Sequence, residues 1–191
     1  RTKSPPACAG NIMNNNRAIV HMDLDTFFVS CERLLDSRLN GKPVLIGGTS
    51  DRGVVASCSY EARKFGVRSA MSSVIALKNC PELIFVKPNF ARYKEISSKI
   101  RKVFFEFTDM VEPLSLDEAY LDVTVNKKGN PSATLIAQEI RQRIKEKTGL
   151  NASAGISINK FIAKIASDVN KPNGQKTVPP EEVLVFLEKL D

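Results

Sequence analysis

The sequence predicts an α+β fold, in which a mixed sheet carries helices on one face and a small lobe interrupts the chain after the first strand. Apolar residues alternate from Ala18 to Leu24, which is typical of a strand. The second half of the chain runs in the order helix, hairpin, helix, strand. Residues 27–88 lie between these parts and have strand and helix patterns of their own, so we expect them to form the inserted lobe. With 191 residues and 42% hydrophobic content, the chain can bury a main core and a smaller one.

The inserted lobe is predicted to alternate short strands and short helices. Its strands are short apolar runs, and its helices repeat apolar residues every three or four positions. In chain order these elements are a helix over 27–35, strands over 43–48 and from residue 54, a helix over 60–65 that Gly66 ends, a helix over 72–78 and a strand over 83–86. The spacing of Tyr60, Arg63 and Lys64 puts them on one side of their helix, which we expect to be polar and cationic.

The longer elements are predicted after residue 88. Asn89 is a candidate N-cap for a helix over 90–107. Extended runs over 111–116 and 119–125 predict a hairpin with Asp117 and Glu118 at its bend. The remaining elements are an amphipathic helix over 133–148 that Gly149 ends, a strand over 152–158, a helix over 159–169 and a turn at Lys171-Pro172-Asn173-Gly174.

Charge and cysteine content narrow the class of protein. Lys and Arg number 28 against 21 Asp and Glu, and the net charge of +7 favours a polyanion, a nucleotide or an acidic partner. Cys8, Cys31, Cys58 and Cys80 have no C-x-x-C spacing and His21 is the only histidine, so we expect neither a zinc site nor a disulfide framework. No apolar run reaches the roughly 18 residues of a membrane span, and the start lacks a signal peptide. We therefore expect a cytoplasmic protein without a membrane partner, and a monomer by default.

Residues 1–16 differ in composition from the rest of the chain. They combine Pro5, Pro6, Gly10 and an asparagine run over 14–16, without apolar periodicity. We expect a disordered leader, native or left over from cloning, with Met13 as a candidate native start.

Three acidic residues are candidate metal ligands. Asp23 ends the first strand and Asp117 and Glu118 lie at the hairpin, so one sheet can bring them side by side. Clustered carboxylates repel one another unless a cation neutralises them or one of them takes up a proton. Two hard cations about 3.5–4 Å apart are the usual solution where a phosphate ester is attacked. The alternative is that Asp117 and Glu118 form a solvated bend, because such residues are common in turns.

A phosphatase is a further alternative. Asp23-Leu24-Asp25-Thr26 matches the D-x-D-x-T opening of the haloacid-dehalogenase-type phosphatases, in which the first Asp is the nucleophile. That mechanism also needs a downstream Ser or Thr, a Lys and an acidic pair, which Asp117 and Glu118 would have to supply. The apolar Phe27 and Phe28 directly after the motif do not suit a phosphatase loop.

Five short motifs occur in a specific order along the chain. They are Asp23-Leu24-Asp25-Thr26-Phe27-Phe28, Tyr60-Glu61-Ala62-Arg63-Lys64-Phe65-Gly66-Val67, Ser115-Leu116-Asp117-Glu118-Ala119-Tyr120-Leu121-Asp122, Gly155-Ile156-Ser157 and Lys171-Pro172-Asn173-Gly174. With them, residues 17–191 resemble the Y-family translesion DNA polymerases, and in particular the DNA polymerase IV and kappa branch. The resemblance implies a polymerase palm with a mainly antiparallel sheet, and fingers as the inserted α/β lobe.

The resemblance also implies a metal site. In that family the matching residues hold two Mg²⁺ ions, which Mn²⁺ can replace. This carries over to Asp23, Asp117, Glu118 and the backbone carbonyl of Leu24, with the three carboxylates as catalytic residues. Asp25 is not a ligand in the family, and we expect it to be a structural partner.

A nucleotide site follows from the same resemblance. Its residues are Phe27, Phe28, Ser57, Tyr60, Arg63 and Lys171. Phe28 matches the steric gate, an aromatic ring under the sugar that excludes a 2′-hydroxyl. Guanidinium, phenol and ammonium groups suit the oxygens of a triphosphate. On general grounds alone, Phe28 would be a core phenylalanine and Arg63 part of a solvated helix face, and Lys160 and Lys164 are expected to be solvated or to contact DNA.

The implied activity is DNA synthesis past damaged bases, by nucleotidyl transfer from a deoxynucleoside triphosphate to a primer 3′-hydroxyl. The implied domains are a palm (17–26 and 89–178), fingers (27–88) and the start of a thumb (179–191). The implied partners are primer–template DNA, the nucleotide and a sliding clamp bound through further C-terminal regions. Because a thumb and little finger supply most of the grip on DNA, we expect this stretch alone to be weakly active or inactive. The location would be cytoplasmic in a bacterium and nuclear in a eukaryote. The other hypothesis is a non-catalytic, DNA-binding or scaffolding palm.

Overall fold

A computed structural model describes residues 17–50 and 52–190, which form two sheets with helices packed around them. The strands are β1 (Ile19–Leu24), β2 (Val44–Gly47), β3 (Val55–Cys58), β4 (Ile84–Val86), β5 (Val111–Pro113), β6 (Glu118–Asp122), β7 (Ala152–Ser157) and β8 (Gln175–Thr177). The helices are α1 (Phe27–Leu35), α2 (Tyr60–Arg63), α3 (Ser73–Asn79), α4 (Phe90–Phe105), α5 (Ala133–Thr148), α6 (Lys160–Val169) and α7 (Val183–Glu188). The predicted leader, residues 1–16, lies outside the described residues.

The larger sheet has β1 at its centre, in the order β5-β6-β1-β7-β8. β1 pairs antiparallel with β6 and β7, and only the pair of β7 and β8 is parallel. Because side chains alternate along a strand, Val20, Met22 and Leu24 share one face, where they are buried with apolar residues of α4 and α5. This is the mixed, mainly antiparallel sheet that the sequence predicts.

The opposite face of the larger sheet is covered by α6. His21 points to this face, and its Nδ1 lies 2.8 Å from Ser167 Oγ of α6. Gly155, the partner of His21 in β7, lets the helix approach, because a Cβ there would lie 1.9 Å from the Ala163 carbonyl oxygen. The prediction of helices on one face therefore holds for α4 and α5, whereas α6 packs on the other face.

The smaller sheet has the order β3-β2-β4 and comes from residues 44–86, within the lobe that the sequence predicts. β2 pairs antiparallel with β3 and parallel with β4. The smaller sheet has two buried apolar clusters of its own. One surrounds Leu45 and Val55, and in the other Val29 of α1 packs on Val44 and Ile46. α1 therefore connects the two sheets through apolar contacts.

The predicted elements differ from the observed ones mainly at their ends. The hairpin strands are shorter than predicted because residues 114–117 form a wide turn, in which Ser115 Oγ accepts from the backbone N–H of Glu118 at 3.2 Å. The sequence analysis did not predict β8 or α7. Cys31, Cys58 and Cys80 are buried free thiols. Within the described stretches, no helix combines the length and apolarity that crossing a membrane requires.

The close contact of α6 with β7 gives a stability prediction. We expect Gly155→Ala to lower the free energy of unfolding by about 3 kcal/mol or more. The added methyl group would overlap backbone atoms of Ala163 and Ser167, which can move away only if α6 moves with them. Gly41→Ala is the matched control. It has a φ of +71° and open space around it, so only the left-handed conformation costs energy, about 1–2 kcal/mol. Urea denaturation measures both, and equal losses would contradict the tight packing.

Candidate active site

A polar pocket opens at the carboxyl end of β1, between the two sheets. Its volume is about 190 Å³, and its lining residues are Asp23, Leu24, Asp25, Thr26, Phe27, Phe28, Ala56, Ser57, Tyr60, Arg63, Ser69, Asp117 and Lys171. Every residue that the sequence analysis assigned to the metal and nucleotide sites lines this pocket, except Glu118. The pocket therefore brings together residues that are far apart in the sequence.

The three candidate carboxylates meet where β1 and β6 run side by side. The register places Asp23 directly opposite Glu118, so that both side chains lie on the same face of the sheet. The backbone N–H of Leu24 donates to the Asp117 carbonyl oxygen at 3.0 Å, which holds the residue before β6 against the end of β1. Ser115 Oγ donates to Asp117 Oδ1 at 2.5 Å and orients that carboxylate.

Two lysines bind the carboxylates. Lys171 Nζ lies 2.5 Å from Asp23 Oδ2 and 2.6 Å from Asp168 Oδ1, and Lys164 Nζ contacts Glu118 Oε2. Among residues 17–50 and 52–190, no three metal-ligating side chains stand together as a ready cage. The two ammonium groups place positive charge directly beside Asp23 and Glu118.

Burial dominates the electrostatics of Asp23. Its side chain is only 19% exposed, and burial raises its pKa to about 6, with Asp117 and Glu118 adding to the rise and Lys171 opposing it. The pKa of Lys171 is also raised, because its contacts with Asp168 and Asp23 outweigh its own burial. The two shifts are compatible, because the Lys171 ammonium faces two carboxylates, whereas Asp23 is buried and also has two like-charged neighbours.

Glu118 has a different environment from Asp23. Burial would raise its pKa, but the ion pair with Lys164 and the contact with His21 outweigh burial and lower it. His21 is almost fully buried, with Nε2 3.0 Å from Glu118 Oε2. Burial, helped by the positive charge of Lys164, lowers the pKa of His21. The pKa values of Asp23 and Glu118, which face each other across β1 and β6, are therefore shifted in opposite directions.

Asp25 is enclosed by hydrogen-bond donors. Its Oδ1 accepts from Ser153 Oγ at 2.8 Å and its Oδ2 from the backbone N–H of Asn173 at 2.7 Å, while the Tyr60 hydroxyl lies 3.5 Å from Oδ1. Only 5% of Asp25 is exposed. These contacts agree with the prediction that Asp25 is a structural partner.

Aromatic and cationic side chains form the rest of the wall. The ring of Phe28 stacks on the buried Tyr93 with a centroid distance of 4.4 Å. Arg63 lies over the ring of Tyr60, at 5.1 Å from its centroid, and the Arg63 Nε is buried without a hydrogen-bond partner among the described residues. Burial, with the charge of Asp25, raises the pKa of Tyr60 to about 12, so its hydroxyl stays a donor at neutral pH.

Three further residues that line the pocket were not assigned to a site from the sequence. Thr26 has a φ of +42°, a left-handed conformation that is unusual for a β-branched residue and is often found at functional sites. Ala56 and Ser69 are also lining residues, and no sequence signal distinguishes them. Lys64, expected beside Arg63, is exposed and outside the pocket, because α2 is a single short turn. Lys160 pairs with Glu112, also away from the pocket.

The fold matches solved Y-family DNA polymerases. DinB from Sulfolobus solfataricus superposes with a TM-score of 0.83 at 37% identity, over 89% of this chain and 50% of that one. An insertion ternary complex of Dbh DNA polymerase gives a TM-score of 0.83 at 37% identity, over 91% of this chain and 52% of that one. The predicted fold class and the resemblance to the Y-family polymerases are therefore confirmed.

Sequence similarity narrows this class to a family. The impB/mucB/samB family matches residues 22–168. DNA polymerase IV 2 of Agrobacterium fabrum is 59% identical over 174 residues, which are 91% of this chain and 49% of that protein. DNA polymerase IV of Listeria monocytogenes is 56% identical over 179 residues, which are 93% of this chain and 50% of that protein. The chain belongs to the impB/mucB/samB family, and it spans about half the length of these curated relatives.

The raised pKa of Asp23 predicts how stability depends on pH. Between its ordinary value of 3.8 and about 6, the folded chain binds more protons than the unfolded chain, so stability falls as the pH rises. For Asp23 this loss amounts to about 3 kcal/mol. In buffer with EDTA, the stability of Asp23→Asn relative to the unmodified chain should therefore rise by about 2 kcal/mol from pH 4 to pH 7, because part of the loss already occurs below pH 4. Urea denaturation across this range is the measurement, and a constant difference would contradict the assignment.

Proposed function

We propose that this chain is the catalytic part of a translesion DNA polymerase, which transfers a nucleotide from a deoxynucleoside triphosphate to a primer 3′-hydroxyl. The observation that carries the proposal is one pocket lined by both carboxylates and cationic side chains. Asp23 and Asp117 are the carboxylates, Arg63 and Lys171 are the cations, and Lys171 is paired with Asp23. The names of the relatives favour this activity over a phosphatase or a non-catalytic module.

The donor set fits a pair of divalent cations. Carboxylate and carbonyl oxygens are the ligands that Mg²⁺ prefers, and Asp23, Asp117, Glu118 and the Leu24 carbonyl would hold it, with Mn²⁺ as a substitute. Burial, with a smaller contribution from Asp117 and Glu118, raises the pKa of Asp23, and a bound cation would stabilise its ionised form. When bound, the ions would activate the attacking hydroxyl and stabilise the leaving pyrophosphate.

The triphosphate would be held by three groups of the chain. Arg63 has an unused, buried Nε, Tyr60 keeps its proton, and Lys171 carries a positive charge at the pocket wall. All three groups can donate to phosphate oxygens and so neutralise charge that develops during transfer, and Lys171 would exchange its contact with Asp23 for the substrate. Ser57, on β3 beside them, adds a small polar group to the same wall.

Phe28 would act as the steric gate for the sugar. Its ring is held by stacking on Tyr93 and by edge contacts with Phe90, so it cannot swing aside at low cost. Phe27 packs behind it in the main core. A fixed ring beneath the sugar excludes an added 2′-hydroxyl by bulk alone.

The domains and partners belong to this proposal too. Residues 17–26 and 89–178 would be the palm, 27–88 the fingers and 179–191 the start of a thumb. Primer–template DNA is the proposed polyanion, supported by the net charge of +7 and by the relative solved as an insertion ternary complex. A sliding clamp bound by further C-terminal regions, a monomeric state and a cytoplasmic location complete it.

The first test is calorimetric binding of a deoxynucleoside triphosphate with Mg²⁺ and with EDTA. We expect Mg²⁺-dependent binding that Asp117→Asn weakens by at least about tenfold, or about 1.4 kcal/mol, because one carboxylate charge at the cation is lost. Asp122→Asn is the matched control, since Asp122 lies at the far end of β6 and, among the described residues, its carboxylate accepts hydrogen bonds from Thr124 alone. Binding that is the same in EDTA, or equal weakening by both variants, would contradict the proposal.

The second test concerns the sugar. The unmodified chain should bind the ribonucleotide at least about tenfold more weakly than the deoxyribonucleotide, and Phe28→Val should remove most of this preference because the ring no longer occupies the 2′ position. Phe105→Val, a half-exposed phenylalanine at the end of α4, is the control and should keep the preference. A Phe28→Val protein that still discriminates would show that another residue is the gate.

A further inference from the structure

The turn over Lys171-Pro172-Asn173-Gly174, called here the Lys171 turn, joins α6 to β8 at the pocket. We propose that Arg141 of α5 is the positioning residue that fixes this turn and thereby aims the Lys171 ammonium at the substrate. The inference rests on the proposed function for its substrate, a triphosphate, but its structural basis does not. Arg141 does not line the pocket, so it would act only through the turn.

The guanidinium of Arg141 bonds three segments at once. Its Nη2 donates to the carbonyl oxygen of Asn173 at 2.6 Å and to Asn173 Oδ1 at 3.0 Å. Its Nη1 donates to Gln175 Oε1 at 3.1 Å, and its Nε to the Ala152 carbonyl oxygen at 2.8 Å. One side chain therefore joins the turn to the first residues of β7 and β8.

Asp25 holds the turn from the opposite side. Its Oδ2 accepts the backbone N–H of Asn173, and Ser153 Oγ, which donates to Asp25 Oδ1, also lies 3.5 Å from the Gly174 nitrogen. The backbone N–H of Asn173 is thus taken by the end of β1 while its carbonyl oxygen is taken by Arg141. Asn173 has a φ of +52°, so this left-handed conformation is maintained by partners on both sides.

The geometry requires arginine rather than any cation. A planar guanidinium offers several donors in a fixed fork, and here all three nitrogens are used on four acceptors. A lysine ammonium at the same place has a single nitrogen and cannot span the three segments. A lysine at position 141 would therefore keep the positive charge but could not make the hydrogen bonds to all three segments at once.

Fixing Asn173 restricts Lys171, two residues earlier. This sets the backbone position from which the Lys171 side chain reaches Asp23 in the pocket, and its ammonium also contacts Asp168. Misplacing a phosphate-binding group by about 1 Å can cost on the order of 100-fold in rate. Arg141 would affect the reaction in this way without touching a reacting atom.

The test compares Arg141→Gln and Arg141→Lys with the matched control Arg143→Gln. Arg143 lies on the same helix and pairs with Glu106 and Glu146, away from the pocket. Amide hydrogen exchange reads the turn directly, with α4 as an internal reference for global unfolding. We expect exchange in the Lys171 turn to be at least about tenfold faster in both Arg141 variants, unchanged in Arg143→Gln, and unchanged in α4 of all three. Unchanged exchange in the turn would overturn the inference, whatever the chain binds.

Nucleotide binding then links the turn to Lys171. With Mg²⁺, Arg141→Gln should weaken triphosphate binding about tenfold, whereas in a Lys171→Gln background the same change should have almost no further effect. Full additivity of the two losses would overturn the inference, because a merely structural role does not depend on Lys171. If the unmodified chain binds no triphosphate, the proposed function fails, and the exchange experiment still decides whether Arg141 positions the turn.

Discussion

The packing around the pocket depends on one electrostatic constraint, because bringing carboxylates together at the end of a buried strand costs free energy. Asp23 is mostly removed from water and has Asp117 and Glu118 as neighbours, so its ionised form is destabilised. Repulsion between like charges grows as water is excluded, and the chain offsets it with two ammonium groups. Lys164 and Lys171 come from α6 and the turn after it. The site can therefore exist only if α6 lies close to β1 and β6.

The close approach of α6 depends on a missing side chain. Gly155 lies under the helix, where a Cβ would overlap the backbone of Ala163 and Ser167. The same contact places Ser167 beside His21, which in turn reaches Glu118. A glycine in β7 thus controls the distance between α6 and the acidic residues Asp23 of β1 and Glu118 of β6. Packing and electrostatics are not separable here, because the helix that covers the sheet also supplies its counter-charges.

The sequence predicted the long elements and most of the pocket, for different reasons. α1 and α5 have clear apolar periodicity, so their bounds agree with the prediction. The candidate site residues were assigned through ordered motifs, and all of them except Glu118 line one pocket. Lys164 was not assigned a site, because its importance arises from a pairing across the sheet that sequence spacing does not encode. Short elements such as β8 were missed since their pairing partner, rather than their own pattern, makes them strands.

The position of α1 determines how the two sheets lie around the pocket. Phe27 and Cys31 on this helix belong to the core of the larger sheet, while Val29 packs on β2 of the smaller one. The two cationic groups of the pocket come from both sides of this joint, with Arg63 at the end of α2, after β3, and Lys171 between α6 and β8. Phe28 touches both apolar clusters and lies at the pocket between them. Because apolar packing holds α1 to each sheet, the separation of the two cationic groups is set before any substrate binds.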